Sequence, residues 1–89
     1  MVTLFVRHTV ADYDAWRRVF DGFAATQNEL GVTATAVFRG ADDAKDITVT
    51  HDFATLEAAK AFTGSQELKA AMHDAGVTSA PSIWYATLA

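Results

Sequence analysis

The chain has 89 residues, of which 51% are hydrophobic and 20% are charged, and its formal net charge at pH 7 is −4. This length supports one domain with one core, and the composition is typical of a folded globular protein. The acidic charge, with no basic cluster larger than Arg17 and Arg18, argues against nucleic acid and anionic membranes as partners. No cysteine is present, which excludes disulfides and cysteine-ligated metal centres.

The first residues do not follow the order of a secretory signal, in which basic residues precede an apolar run and small residues. No apolar run approaches the length of about 18 residues that a transmembrane helix needs. These features predict a cytoplasmic protein. The alanine-rich, lysine-poor usage is typical of a bacterial protein.

The first predicted strand is VTLFVRH, residues 2–8. Its even positions, Val2, Leu4 and Val6, are apolar and predict a face turned toward a core. Phe5 lies on the opposite face, where a half-exposed strand would carry polar side chains only. Something must therefore cover the second face of this strand.

Residues 12–30 predict one amphipathic helix, with Asp12 as its N-cap and Gly31 as its stop signal. Its apolar residues recur at spacings of three and four and form one wide stripe. The stripe consists of Tyr13, Trp16, Phe20, Phe23, Ala24 and Leu30.

The rest of the chain predicts a hairpin, a second helical region and a last strand. Residues 32–39 and 47–53 alternate in polarity around a polar turn. Residues 55–62 and 65–76 read as two helical pieces, capped by Ser65 in the second case, and residues 82–88 form the final strand after a proline.

The element order β-α-β-β-α-β predicts an α+β, ferredoxin-like fold: one four-stranded antiparallel sheet with two helices on one face, in a single domain over residues 1–89. The uncovered face is expected to show Thr3, Phe5, Arg7, Thr48 and Thr50, with Val37, Trp84 or Tyr85 at its edges. A second copy is the simplest cover, and the resulting homodimer would be an eight-stranded α+β barrel. A monomer with a solvated, threonine-rich face is the alternative.

The stretch RHTVADYDAWRRVFDGF and the later LEAAKAFTGSQELKAAMHDAGV, within this plan, resemble the dimeric α+β barrel superfamily and, inside it, the antibiotic biosynthesis monooxygenase family. The resemblance covers essentially the whole chain. The scaffold also hosts haem-degrading monooxygenases, polyketide cyclases, isomerases and stress-responsive proteins. In family members that oxidise aromatic polyketides, the deprotonated substrate itself supplies the electrons, so the resemblance implies no cofactor.

The haem-degrading branch has a tryptophan, serine, lysine and histidine pattern in its second helix. The corresponding positions here are Phe62, Ser65, Lys69 and Met72. The tryptophan is missing, and a histidine comes one residue late, at His73, rotated by about 100° on a helix. Haem is therefore not predicted as a ligand of this helix.

The predicted topology should bring several aromatic and titratable side chains together at one end of the sheet. A mostly apolar cleft with few polar groups suits a planar aromatic ligand. The catalytic candidates are His8, Tyr13 and His73, and the substrate-binding candidates are Trp16, Phe20, Phe38, Met72 and Trp84.

His8 continues the inward parity of the first strand, where a neutral imidazole can remove a proton from an acidic phenol or C–H group. A histidine that caps a strand end by bonding a loop carbonyl is the alternative. His73 lies in the last turn of a helix, where the macrodipole favours positive charge without any catalytic role. Tyr13 and Trp16, three residues apart, serve equally as core or as pocket wall.

His51 lies on the third strand and is expected toward the opposite end of the sheet from His8, so no metal site is predicted from the three histidines. Arg7 faces the uncovered side and is expected to pair with Asp46 or with an acidic group of a partner.

The leading hypothesis is a homodimer that acts on a small hydrophobic or aromatic metabolite as a cofactor-independent monooxygenase. A barrel that binds such a ligand without catalysis is one alternative, and a cyclase or isomerase on the same scaffold is another.

Overall fold

The computed structural model describes residues 1–89, and a pair of short helices follows the first strand and the third strand. The elements are β1 (Val2–Thr9), α1 (Tyr13–Gly22), α2 (Ala24–Glu29), β2 (Ala34–Arg39), β3 (Asp46–Phe53), α3 (Leu56–Thr63), α4 (Gln66–Asp74) and β4 (Ser82–Ala86). The predicted order of strands and helical regions is confirmed.

The helices begin and end where local side-chain chemistry directs. Side-chain oxygens of Asp12, Thr55 and Ser65 each accept a 3.2 Å hydrogen bond from the backbone N–H three residues later. Beyond the helical regions, Gly31 and Gly76 adopt φ angles of +97° and +74°, which side chains disfavour. The predicted caps at Asp12 and Ser65 and the predicted stop at Gly31 are confirmed.

The single helix predicted over residues 12–30 is wrong, because the chain breaks at Phe23. Phe23 has φ −88° and ψ −5°, and its N–H lies 3.0 Å from the Val19 oxygen and 3.1 Å from the Phe20 oxygen. Gly22, with low helix propensity, immediately precedes the break. The tightened turn lets both Phe23 and the buried Gln27 face inward.

The four strands form one antiparallel sheet in the order β2-β3-β1-β4. In the central pair, Val6 lies opposite Val49 and His8 lies opposite Ile47. This topology confirms the α+β, ferredoxin-like fold class. Strands β2 and β4 are the two edges of the sheet.

The core lies on the face of the sheet that the helices cover. One group of buried residues centres on Phe53 and Phe62, and the other centres on Trp16 and Ile47. Burying each such side chain stabilises the fold by about 1.5–3 kcal/mol. No helix of the structure is both long enough and apolar enough to span a membrane.

The other face of the sheet, here called the outer face, has no helix over it. Phe5 and Trp84 stack there with ring centroids 5.2 Å apart and planes 2° apart. Trp84 is 43% exposed and Phe38 is 55% exposed. Arg7 donates two hydrogen bonds to Asp46, of 3.0 and 2.7 Å, which confirms the predicted ion pair.

Two residues named for the outer face lie on the helix side instead. Val37 is paired with Val49, so its side chain shares the inward face of β3. Tyr85 is paired with the buried Leu4, and its hydroxyl lies 2.7 Å from the hydroxyl of Thr63. The prediction that Val37 or Tyr85 contributes to the outer face is wrong, because pairing register decides which face an edge residue occupies.

Candidate functional site

A small cavity lies between the sheet and the helices. Its floor consists of two residues from each central strand, Val6 and His8 from β1 and Val49 and His51 from β3. Ten of its 13 lining residues are hydrophobic, and its volume is about 40 Å³. Room for one water requires about 10–15 Å³, whereas a cavity that binds benzene has about 150 Å³. The cavity therefore has space for a few waters at most.

The roof of the cavity comes from three helices. Trp16 and Phe20 of α1 stack with centroids 5.1 Å apart. Phe23 at the helix break, Gln27 of α2 and Met72 of α4 also line the cavity. No lining residue carries a charged side chain at neutral pH.

His8 sits at one end of the cavity floor and is 6% exposed. Both of its ring nitrogens are buried and have no hydrogen-bond partner. Its ring meets Trp16 edge-on at 6.0 Å. Burial lowers the pKa of His8 below its usual value of 6.5, because the charged form loses hydration. His8 is therefore neutral at pH 7 and able to accept a proton.

His51 lines the same cavity and is 4% exposed. Its Nδ1 is buried without a partner, and its ring lies 5.1 Å from that of Phe62. Burial lowers the pKa of His51 to about 4, against a smaller opposing effect of the neighbouring Asp52 carboxylate. This imidazole is also neutral at pH 7.

Sequence reasoning missed His51 and Gln27 as cavity residues. The expectation that His51 lies away from His8 along the sheet overlooked how far the cavity extends between them. The signal was present, since His51 shares the inward parity of Ile47, Val49 and Phe53. Gln27 is 4% exposed and faces inward only because the helix breaks before it.

Four of the eight predicted site residues line the cavity: His8, Trp16, Phe20 and Met72. The other four do not. Trp84 and Phe38 lie on the outer face, because Trp84 is paired with Phe5 and Phe38 with the outward Thr48. The prediction that Trp84 and Phe38 border the same cleft as His8 is therefore wrong.

Tyr13 and His73 lie near the cavity but outside its lining. Tyr13 is half-buried and stacks on Trp16 at 5.9 Å, with the Arg39 guanidinium 4.4 Å from its ring centroid. His73 is exposed in the last turn of α4. The three histidines do not come together, and no group of three or more side chains is arranged to hold a metal ion.

A second depression, the α1–α4 groove, lies on the solvent side of the same helices. It shares Val19, Phe23 and Ala71 with the cavity lining, and Glu67 and Asp74 also border it. Its volume is about 310 Å³. These shared residues therefore lie between the cavity and the groove.

Comparison of the fold with solved structures gives strong matches. A candidate antibiotic biosynthesis monooxygenase from Caulobacter crescentus matches with a TM-score of 0.76 and 23% identity, over 99% of this chain and 89% of that one. SnoaB, a cofactor-independent oxygenase from Streptomyces nogalater, matches with a TM-score of 0.75 and 18% identity, over 99% and 94%. A protein of unknown function from Nitrosomonas europaea matches with a TM-score of 0.77 and 23% identity, over 98% and 87%.

No family model matches the sequence, and no curated protein matches it significantly. The structural likeness extends over nearly the whole length of both partners, at low sequence identity. The chain therefore has the fold seen in antibiotic biosynthesis monooxygenases. One scaffold can host unrelated reactions, so function has to be argued from the cavity.

Proposed function

We propose that this protein is a homodimeric, cofactor-independent monooxygenase that acts on a small aromatic metabolite in the cavity between sheet and helices. The observation that carries the proposal is His8: a neutral imidazole, 6% exposed, with two unpartnered ring nitrogens in an apolar cavity. A buried group without a partner inside a concave site is a candidate for contact with a ligand.

In the proposed reaction, His8 accepts a proton from a phenol or from a C–H group next to an aromatic ring. Its lowered pKa makes it a weak base, so the substrate proton must itself be acidic. The resulting electron-rich anion transfers electrons to O₂. One oxygen atom stays in the product, and the other leaves as water with the two hydrogens that the substrate loses.

The cavity must widen to admit this substrate, because about 40 Å³ does not hold an aromatic ring. The side chains that would have to move include Val19 and Phe23, which line both the cavity and the α1–α4 groove. Met72 is half-buried, and an unbranched thioether side chain adapts to new shapes at little cost.

The proposal treats residues 1–89 as one barrel domain whose second half comes from another copy. Phe5, Phe38 and Trp84 on the outer face support this, because a large aromatic surface is costly to leave in water.

The test is oxygen uptake by purified protein with a quinol substrate and no added flavin or metal. His8→Ala should lower the rate by about 10² to 10⁴, the usual contribution of a general base. Asn28→Ala, an exposed change in α2 outside the cavity, should retain the rate. A His8→Ala variant with wild-type turnover would contradict the proposed role.

A binding protein without catalysis is the second candidate. This candidate is favoured by the cavity lining, which contains no charged side chain that could orient His8 or stabilise its protonated form. This candidate predicts ligand-dependent thermal stabilisation with no turnover at any pH. A cyclase or isomerase would instead convert substrate without consuming oxygen.

A further inference from the structure

We infer that His51 is a second ligand-contacting group, and that His8 and His51 together select an elongated aromatic molecule carrying a neutral hydroxyl or carbonyl oxygen at each end. The inference rests on the proposed function only in taking the cavity as the substrate site. It assigns a role to a residue that the proposed reaction does not use.

The sheet register places the two histidines symmetrically about the centre of the cavity floor. Val6 and Val49 are directly paired. His8 lies two residues beyond Val6, and His51 lies two residues beyond Val49. Because the strands are antiparallel, these two steps run in opposite directions. Four residues of strand, about 13 Å, therefore separate the imidazoles along the sheet.

Both ends of the cavity present unsatisfied polar atoms. The two nitrogens of His8 and the Nδ1 of His51 are buried without hydrogen-bond partners. A buried polar group without a partner is costly, and such groups are rare in folded proteins. A neutral imidazole has one donor and one acceptor nitrogen, so each histidine can bond a hydroxyl or a carbonyl oxygen.

Apart from the amide of Gln27, the cavity lining between the histidines is apolar. Val6 and Val49 lie below it, and Phe20 and Met72 lie above it. The body of the ligand is therefore mainly aromatic or aliphatic, and the oxygens that the histidines bind lie at its two ends. No lysine or arginine lines the cavity, so a carboxylate or phosphate at either end would lose its hydration without compensation.

Each histidine also lies beside a large aromatic ring. His8 meets Trp16 at 6.0 Å, and His51 meets Phe62 at 5.1 Å. These neighbours hold the imidazoles in place at the cavity ends, so a ligand need not order them on binding.

The test measures the binding of two probes of the same shape by calorimetry: 4,4′-dihydroxybiphenyl, with a hydroxyl at each end, and 4-hydroxybiphenyl, with one. Wild-type protein should bind the dihydroxy probe about tenfold more tightly, as one additional buried hydrogen bond predicts. His51→Leu should remove this preference, and His51→Gln should restore part of it. Asn28→Ala, which changes an exposed side chain outside the cavity, should keep the full preference.

Equal affinity of wild-type protein for the two probes would overturn the inference, as would a tenfold preference that survives in His51→Leu. Failure of both probes to bind would overturn it too. Far-ultraviolet circular dichroism of each variant shows whether the fold is intact. A protein that keeps the preference but consumes no oxygen supports this inference while contradicting the monooxygenase proposal.

Discussion

At the scale of single residues, the two buried histidines make stability depend on pH. His51 has a folded-state pKa of about 4, whereas its ordinary value is 6.5. Between these values the unfolded chain binds a proton that the folded protein does not. The free energy of unfolding therefore falls as the pH falls below 6.5. Above pH 6.5 the imidazole is neutral in both states, so the folded protein keeps its full stability.

The magnitude follows from the size of the pKa difference, at about 1.4 kcal/mol per pH unit. His51 should account for roughly 3 kcal/mol of lost stability between pH 6.5 and pH 4. Urea unfolding of wild-type protein and His51→Leu at several pH values in this range gives the free energy of unfolding of each. The plot of this free energy against pH should be steeper for wild-type protein. If the free energy of unfolding depends on pH equally in the two proteins, His51 has the same pKa in the folded and unfolded states.

At the scale of helices and strands, the glycines near the helix break offer a test of backbone conformation. Gly22 ends α1 with no heavy atom within 4 Å of the position that a Cβ would occupy. Gly22→Ala should stabilise the protein by about 0.5–1 kcal/mol, because alanine has less backbone freedom to lose.

Gly31→Ala is the matched control and should have the opposite effect. Gly31 has a φ of +97°, which an alanine side chain disfavours. Thermal unfolding of both variants measures the two signs. Destabilisation by Gly22→Ala would indicate that the break at Phe23 requires glycine before it.

Much of the element structure was predictable because local signals agree with the fold. Alternation in β1 identified Leu4, Val6 and His8 as inward-facing, and the cap at Ser65 began a helix where expected. The break at Phe23 was not predictable, since the apolar stripe continues through it.

Two of the eight predicted site residues were misplaced for a different reason. Phe38 and Trp84 belong to edge strands, whose faces are decided by pairing with a neighbour. A shift of one residue in register exchanges the two faces of a strand. Helix positions such as Trp16 and Phe20 were easier, because a 3.6-residue period identifies the buried side directly.

At the scale of the whole molecule, the outer face predicts self-association. Sedimentation velocity should report a species of twice 9.6 kDa for wild-type protein. Trp84→Asp places a carboxylate beside Phe5 and should shift the protein toward monomer, because burying an unpaired charge is costly.

Ala24→Asp is the control, since it adds the same charge at an exposed position of α2, away from the outer face. It should leave the mass unchanged. A wild-type protein that sediments as a monomer would contradict the dimer, and with it the proposed barrel.

The chain has two tryptophans, and the sheet separates them: Trp16 is 4% exposed beneath the helices, and Trp84 is 43% exposed on the other side. Their fluorescence is therefore sensitive to different events. Emission from Trp16 should change when a ligand occupies the cavity, and emission from Trp84 should change when a second copy covers the outer face. Trp84→Phe leaves Trp16 as the single tryptophan, so that emission excited selectively from tryptophan reports occupancy of the cavity without an attached dye.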